Sequence, residues 1–279
     1  MDALLTVPLV RTNHSPIGPL KNDGYTITWS NINPISTQGQ KSITIRYVAS
    51  GREKVRIENC YYPLAANQYL IINPKVVVNI ANDNSSSQGV WVQVKFPDTS
   101  DLSFFPGPYI ASKSELGTLL SFIYSCRDNF PLDENLLAQQ VIDSTLKKER
   151  IVQKRVNSIK ASKYSTKSEI FKRLILAENY IELNLKRKIT LPELCEVAGL
   201  SRFHFVRKFH EAYGASPHQF ILRKKIYLAH NLIMNERKTI SEIAHLCGFG
   251  DIHIFSKVFR KIQGYPPSML RTVRAWKNS

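Results

Sequence analysis

Two stretches of the sequence set basic side chains among aromatic ones at helical spacing. "SRFHFVRKFHEAYG" runs from Ser201 to Gly214, and "DIHIFSKVFRKIQG" from Asp251 to Gly264. A period of 3.6 gathers Phe205, Phe209 and Tyr213, with Ala212 alongside, on an inward stripe of the first. In the second it gathers Phe255, Val258, Phe259 and Ile262. Left outward are Arg202, Phe203, Val206, Arg207 and His210 in one stretch, and Ile252, His253, Ser256, Lys257 and Arg260 in the other. Guanidinium and ammonium groups on such a face can donate to phosphates and to base edges. Arg207 and Lys257 hold equivalent places and are the first candidates for base or phosphate contacts. Arg202, Arg260 and Lys261 suit phosphates, because most protein–DNA hydrogen bonds go to the backbone. His253 suits direct readout, with Asp251 near the helix start. Phe203 suits either a wedge against a base or sugar, or local packing. Val206 and Ile252 can touch a thymine methyl but cannot make paired hydrogen bonds to a base.

Each stretch needs an element to aim it. Ahead of the first stands "TLPELCEVAG", where Thr190 and Glu193 form a capping box with Pro192 in the first turn. Ahead of the second, "TISEIAHLCG" repeats the device with Thr239 and Glu242. Both short helices end at a glycine, Gly199 or Gly248, suited to the left-handed conformation that closes a helix. Each unit is thus a helix, a tight turn and a second amphipathic helix, over about 190–213 and 239–263. The units match at an offset of 49 residues up to the glycine and 50 beyond it. A solenoid needs at least three repeats to close a core, so two copies read as a paired tool. The intervening "SPHQFILRKKIYLAHNLIMNE" predicts a helix from about Pro217 to Met234, roughly 27 Å long at 1.5 Å per residue. Successive major-groove faces on one side of B-DNA are about 34 Å apart. A helical spacer of that order can set two reading helices into adjacent grooves.

The rest of the chain differs in kind. From Tyr25 to Phe96, short runs rich in Val, Ile, Tyr and Thr alternate with turn signals, the pattern of an antiparallel sandwich or barrel. Ile43, Ile45 and Tyr47 share one face. Trp29, Tyr47, Tyr69 and Trp91 are candidates to line a pocket for a small-molecule effector, with core filling as the alternative. Two helices follow, one from Ser114 and one after Pro131. Their Leu/Ile/Val stripe can pair with another protomer in a homodimer or pack back onto the β region. The basic, Ser-rich stretch from Lys147 to Ser168 reads as a linker, with a domain boundary near residue 165. Domains of residues 1–165 and 166–279 result: a two-domain α+β chain whose second part is all helical.

Charge follows the same division. The net charge of +16 splits into −1 over residues 1–146, +6 over 147–165 and +11 over 166–279. A basic C-terminal half points to a polyanion partner, double-stranded DNA or an anionic surface. No apolar run approaches the roughly 20 residues of a membrane helix, and the N-terminus lacks a signal-peptide pattern. The four scattered cysteines form no CxxC pair, so a reduced, cytoplasmic setting is expected.

The strings "ITLPELCEVAGLSRFHFVRKFHEAYGASPHQFI" and "TISEIAHLCGFGDIHIFSKVFRKIQGYPPSMLR" resemble the DNA-binding domain of AraC/XylS-family transcription regulators. The second is close to that family's signature over more than thirty residues. The resemblance implies a seven-helix domain that binds an asymmetric DNA site through both recognition helices and works with RNA polymerase, more often as an activator. "YVASGREKVRIENCYYPLAANQYLIINP" more loosely resembles the cupin-like sensor barrel that precedes the domain in many members. Two departures stand out: Lys208 falls where an apolar residue is common, and Val206 and Ile252 are apolar where relatives often place polar residues. A cupin enzyme would need converging imidazoles and a carboxylate for its metal. The N-terminal half has one histidine, His14, ahead of the β region, and "NPKVVVNI" stands where a metal-binding histidine is frequent. No nucleotide-phosphate loop, dinucleotide fingerprint or serine-hydrolase elbow occurs. No cofactor and no enzymatic activity are expected.

Overall fold

The structure, a computed structural model, describes residues 9–11, 26–30, 42–57, 60–73, 78–81, 87–95, 104–126 and 134–277. The chain divides into two compact units, Met1–Gln153 and Lys154–Ser279.

Among the described residues, nine strands form the core of the first unit: β1 (Leu9–Arg11), β2 (Thr26–Ser30), β3 (Ser42–Ser50), β4 (Arg52–Ile57), β5 (Cys60–Ala65), β6 (Gln68–Ile72), β7 (Val78–Ala81), β8 (Gln88–Lys95) and β9 (Tyr109–Ile110). They make a six-stranded sheet in the order β1-β2-β8-β3-β6-β9 and a three-stranded sheet in the order β5-β4-β7. β3 is central, and both of its faces are buried. Helix α1 (Glu115–Ser125) lies over the face that carries Ile43, Ile45 and Tyr47, and it buries Leu116, Leu120 and Ile123. Ser114 caps it, its hydroxyl accepting from the Gly117 amide at 3.1 Å. On the other face Val48, Leu70, Ile72 and Trp91 cluster with Val55, Ile57, Tyr62 and Leu64 of the β4–β5 hairpin. β4 alternates exposed and buried residues, as a strand with one wet face must.

Of the expected sandwich or barrel, no closed barrel is seen among the described residues. Two separate sheets face each other among the described residues, and β1 pairs parallel with β2. A small barrel wall has one inner face, whereas β3 is sealed by a helix on one side and a second sheet on the other. The stripe of α1 is likewise taken up by the sheet, which resolves that helix's open alternative in favour of packing within the chain.

Helix α2 (Glu134–Ser158) runs through most of the basic stretch read as a linker. Its continuity rests on a stripe of Val141, Thr145, Glu149, Val152 and Val156, all buried. The compact units part after Gln153, not near residue 165, because the last turn of α2 is tied to the helices that follow. Arg155 pairs with Glu178 at 3.4 Å, and the Lys160 amide donates to Glu211 at 2.9 Å.

Seven helices make the second unit: α3 (Tyr164–Leu183), α4 (Leu191–Ala198), α5 (Arg202–Tyr213), α6 (Pro217–Asn235), α7 (Ile240–Leu246), α8 (Ile252–Gln263) and α9 (Pro267–Lys277). Stacked rings of Phe209 and Tyr213, 4.4 Å between centroids, pack the first helix-turn-helix unit against Phe171 and Phe220. Phe249, Phe255 and Phe259 pack the second against Ile226, Ala229 and Ile233 of α6. Among the described residues no helix is long and apolar enough to cross a membrane.

Candidate nucleic-acid interface

Both reading helices are fixed from their N-terminal side. In α4 the Thr190 amide donates to Glu193 at 2.7 Å, and the Thr190 hydroxyl accepts from the Glu193 amide at 3.5 Å. In α7 the same pair of bonds joins Thr239 and Glu242 at 2.6 and 3.2 Å. These bonds hold both glutamate carboxyls below their ordinary range, chiefly through the threonine amides. A third box, Ser216 with Gln219, starts α6, and its Ser-x-x-Gln spelling is the sequence signal for it.

The turns are held by cations. Gly199 and Gly248 adopt φ of 60° and 67°, the left-handed region. Arg173 of α3 donates to the Gly199 carbonyl at 3.0 Å. Lys225 of α6, almost fully buried, donates to the Gly248 carbonyl at 3.0 Å and to the Arg187 carbonyl at 2.9 Å. Burial pushes the Lys225 ammonium below its ordinary value. A third cation explains the odd Lys208. Its ammonium is buried on the inner side of α5, donating to the Lys160 carbonyl at 2.5 Å and to Glu211 at 2.9 Å. Glu211 in turn accepts from the Lys160 amide. The backbone of Lys160, in the segment entering the domain, is thus gripped at both its N–H and its C=O.

On α5, Arg202 and Arg207 are exposed, Phe203 is 76% exposed, and Val206 is half-buried. The Arg207 guanidinium lies 5.6 Å from the centre of the Phe203 ring and 4.0 Å from Glu211. On α8, Ile252, His253, Lys257 and Arg260 are exposed and Ser256 is half-buried. The candidates therefore share one exposed face on each helix, and the structure adds detail at Asp251, Ile262 and Ile254. Asp251 is the N-cap of α8: its carboxylate accepts from the His253 and Ile254 amides at 2.6 and 3.0 Å. Those bonds, Ile254's first, both fall on Oδ1 and hold the carboxyl below the ordinary aspartate range. Ile262, assigned to the buried stripe, is 37% exposed, whereas Phe255 and Phe259 are fully buried and Val258 packs against the same cluster. Ile254, unassigned by the sequence, is 59% exposed.

A groove of about 750 Å³ opens beside α5, with Leu191, Leu194, Phe203, Val206, Pro217 and Ile221 among its walls.

The aromatic residues proposed for an effector do not converge. Tyr47 and Tyr69 are cross-strand partners on the α1 face, where the Tyr69 hydroxyl bonds Ser114 at 3.0 Å and Tyr47 meets Tyr124. Trp91 is on the opposite face, with the Arg46 guanidinium 4.9 Å from its ring. Arg46 is itself locked to Glu53 by two hydrogen bonds of 2.7 and 2.8 Å. The Trp29 side chain lies outside the described residues, as does His14. Among the described residues no three His, Cys, Asp or Glu side chains are placed to hold a metal ion.

Comparison with known proteins bears on the same residues. The helix-turn-helix domain family matches residues 194–272. The probable transcriptional regulator LumQ of Photobacterium leiognathi is 28% identical over 218 residues, 78% of this chain and 84% of that protein. The MmsAB operon regulatory protein of Pseudomonas aeruginosa is 30% identical over 92 residues, 33% of this chain and 30% of that protein. The HTH-type transcriptional activator Btr of Bacillus subtilis is 35% identical over 81 residues, 29% of this chain and 15% of that protein. The chain thus spans less than a third of the length of those last two relatives. A solved structure of a probable AraC family transcriptional regulator from Rhodopseudomonas palustris aligns at 30% identity over 37% of this chain and 96% of that one, with a TM-score of 0.35. Residues 194–272 thus form a helix-turn-helix domain made of two capped units, and the relatives to which the chain is similar are themselves described as transcription regulators.

Proposed function

We propose that this chain binds an asymmetric duplex DNA site in the cytoplasm with α5 and α8 in successive major grooves. We further propose that it regulates transcription in response to a small-molecule effector of the N-terminal unit. Arg202, Phe203, Val206 and Arg207 face the DNA from the first helix. Ile252, His253, Ser256, Lys257 and Arg260 face it from the second, and Asp251 acts through its cap. The observation that carries the reading is that both helices turn a basic, exposed face outward while their aromatic residues are buried. Activation through RNA polymerase, and pairing of two copies, follow from the family resemblance.

The test is selection of bound sites from random duplexes by the full-length protein, followed by titration with variants. Arg207→Ala and Lys257→Ala should each weaken the selected site by about 1–3 kcal/mol per lost base contact. Affinity unchanged in both variants would sink the assignment. A second reading, a constitutive regulator, is favoured by the burial of Tyr47, Tyr69 and Trp91 in the core of the sandwich. Thermal shift of the full chain against metabolites separates the two readings.

A further inference from the structure

The two reading faces are not chemically equivalent, although the units are copies. At the offset of 50, Phe205 and Phe209 align with Phe255 and Phe259 in the two cores. The same alignment sets Phe203 against His253, Val206 against Ser256 and Arg207 against Lys257. The middle of the second face can donate and accept hydrogen bonds. The middle of the first cannot: Phe203 and Val206 carry no polar side-chain atom.

Phe203 is not a core residue. It is 76% exposed, and a phenyl ring left in water on a helix that buries Phe205 and Phe209 at 0% serves no packing purpose. Its ring is steadied by Arg207, whose guanidinium is drawn both to it and to Glu211. Behind Phe203 and Val206 the groove walls are apolar, with Leu191, Leu194 and Ile221 close by. A major groove pressed onto this surface meets a dry, apolar patch with cations at its edges.

The base feature that such a patch can recognise in the major groove is the C5-methyl of thymine. We propose that the first recognition helix selects its half of the site through thymine methyl groups packed on Phe203 and Val206. On the same proposal, the second helix selects its half by hydrogen bonds from His253, Ser256 and Lys257. This rests on the reading of α5 and α8 as the DNA-facing helices. Arg202 and Arg207 then supply affinity and position to the first half, and the methyl contacts supply its sequence preference.

The experiment uses the full-length protein and a duplex that it has selected from a random pool. Deoxyuridine replaces thymidine, one position at a time, so that only a methyl group is removed. The half read by α5 is the one that footprinting shows to be less protected in Arg207→Ala. In that half each methyl in contact should contribute about fourfold in affinity, as expected for burying one carbon group. In the Phe203→Ala/Val206→Ala background the uracil penalty should vanish. Phe203 is exposed and Val206 half-buried, and neither belongs to the buried stripe of α5, so the double variant keeps its fold, which circular dichroism checks. Uracil tolerated throughout the α5 half, or an undiminished penalty in the double variant, would overturn the proposal while leaving the two-helix reading intact if Arg207→Ala and Lys257→Ala still weaken binding. A protein that selects no sequence at all would overturn both.

Discussion

At the scale of single residues, the two helix-turn-helix units depend on a few atoms at their turns. Gly248 and Gly264 both have positive φ, but their surroundings differ. A Cβ on Gly264 would meet nothing within 4 Å, whereas on Gly248 it would lie 2.5 Å from Lys225 Nζ and 2.9 Å from the Lys186 carbonyl. Gly264→Ala should therefore cost only the left-handed penalty, about 1–2 kcal/mol. Gly248→Ala should cost clearly more, because it also displaces Lys225 from the two carbonyls that it holds. Denaturant unfolding of the two full-length variants measures the difference, and equal losses would contradict it. Asp251 is a residue whose chemistry was legible and whose role was not: the carboxylate was placed at the helix start, but only the backbone reveals that it caps that helix.

At the scale of elements, the α5 helix and the segment that enters its domain behave as one piece. Lys208 and Glu211 grip the Lys160 backbone, while Arg155 is held by Glu178 and lies 4.8 Å from the Tyr213 ring. Removing Lys208 leaves a carboxylate and a carbonyl without their cation in a nearly dry site. Lys208→Met should cost about 3 kcal/mol, the low end for breaking one side of a buried pair. Hydrogen exchange of the α5 amides in the full chain reads this as lost protection. The clamp is also pH-dependent. Burial pushes the Glu211 carboxyl up, but the bonds from Lys208 and the Lys160 amide outweigh it, and its folded-state value is lowered. A lowered acid contributes stability that is complete above the ordinary glutamate value and disappears as pH falls through the lowered one. Protection of α5 should therefore fall off below about pH 4.5, the ordinary glutamate value, and Glu211→Gln should flatten that dependence.

At the scale of the whole molecule, charge is distributed by task. The first 146 residues are close to neutral and the last 114 carry +11. Binding should weaken steeply with salt, since each neutralised phosphate releases counterions with a slope near −0.9 in log affinity against log salt. Arg260→Ala should lower that slope by about 1 and weaken all sequences alike, if it touches phosphate as proposed. A selective loss at one base would reassign it to readout. Gel shifts across a salt series distinguish the outcomes.

By itself the sequence determined the helix-turn-helix half of this protein. Capping boxes at Thr190 and Thr239, the glycines that end α4 and α7, and the buried phenylalanines are local signals, set by backbone bonds within one turn and by a 3.6-residue period. They survive folding because tertiary packing agrees with them. What only the tertiary structure decided depends on partners distant in the chain. Lys208 and Lys225 look like surface charge until carbonyls from other elements surround them. Trp91 looks like a ligand platform until Arg46 occupies its ring, and the end of α2 looks like a linker because its basic residues outnumber the buried Val152 and Val156. The strands from Ser42 to Lys95 were legible singly, but their division into two sheets was not. Alternation says that a strand has an inner face, and it takes the pairing of distant strands to settle what that face meets.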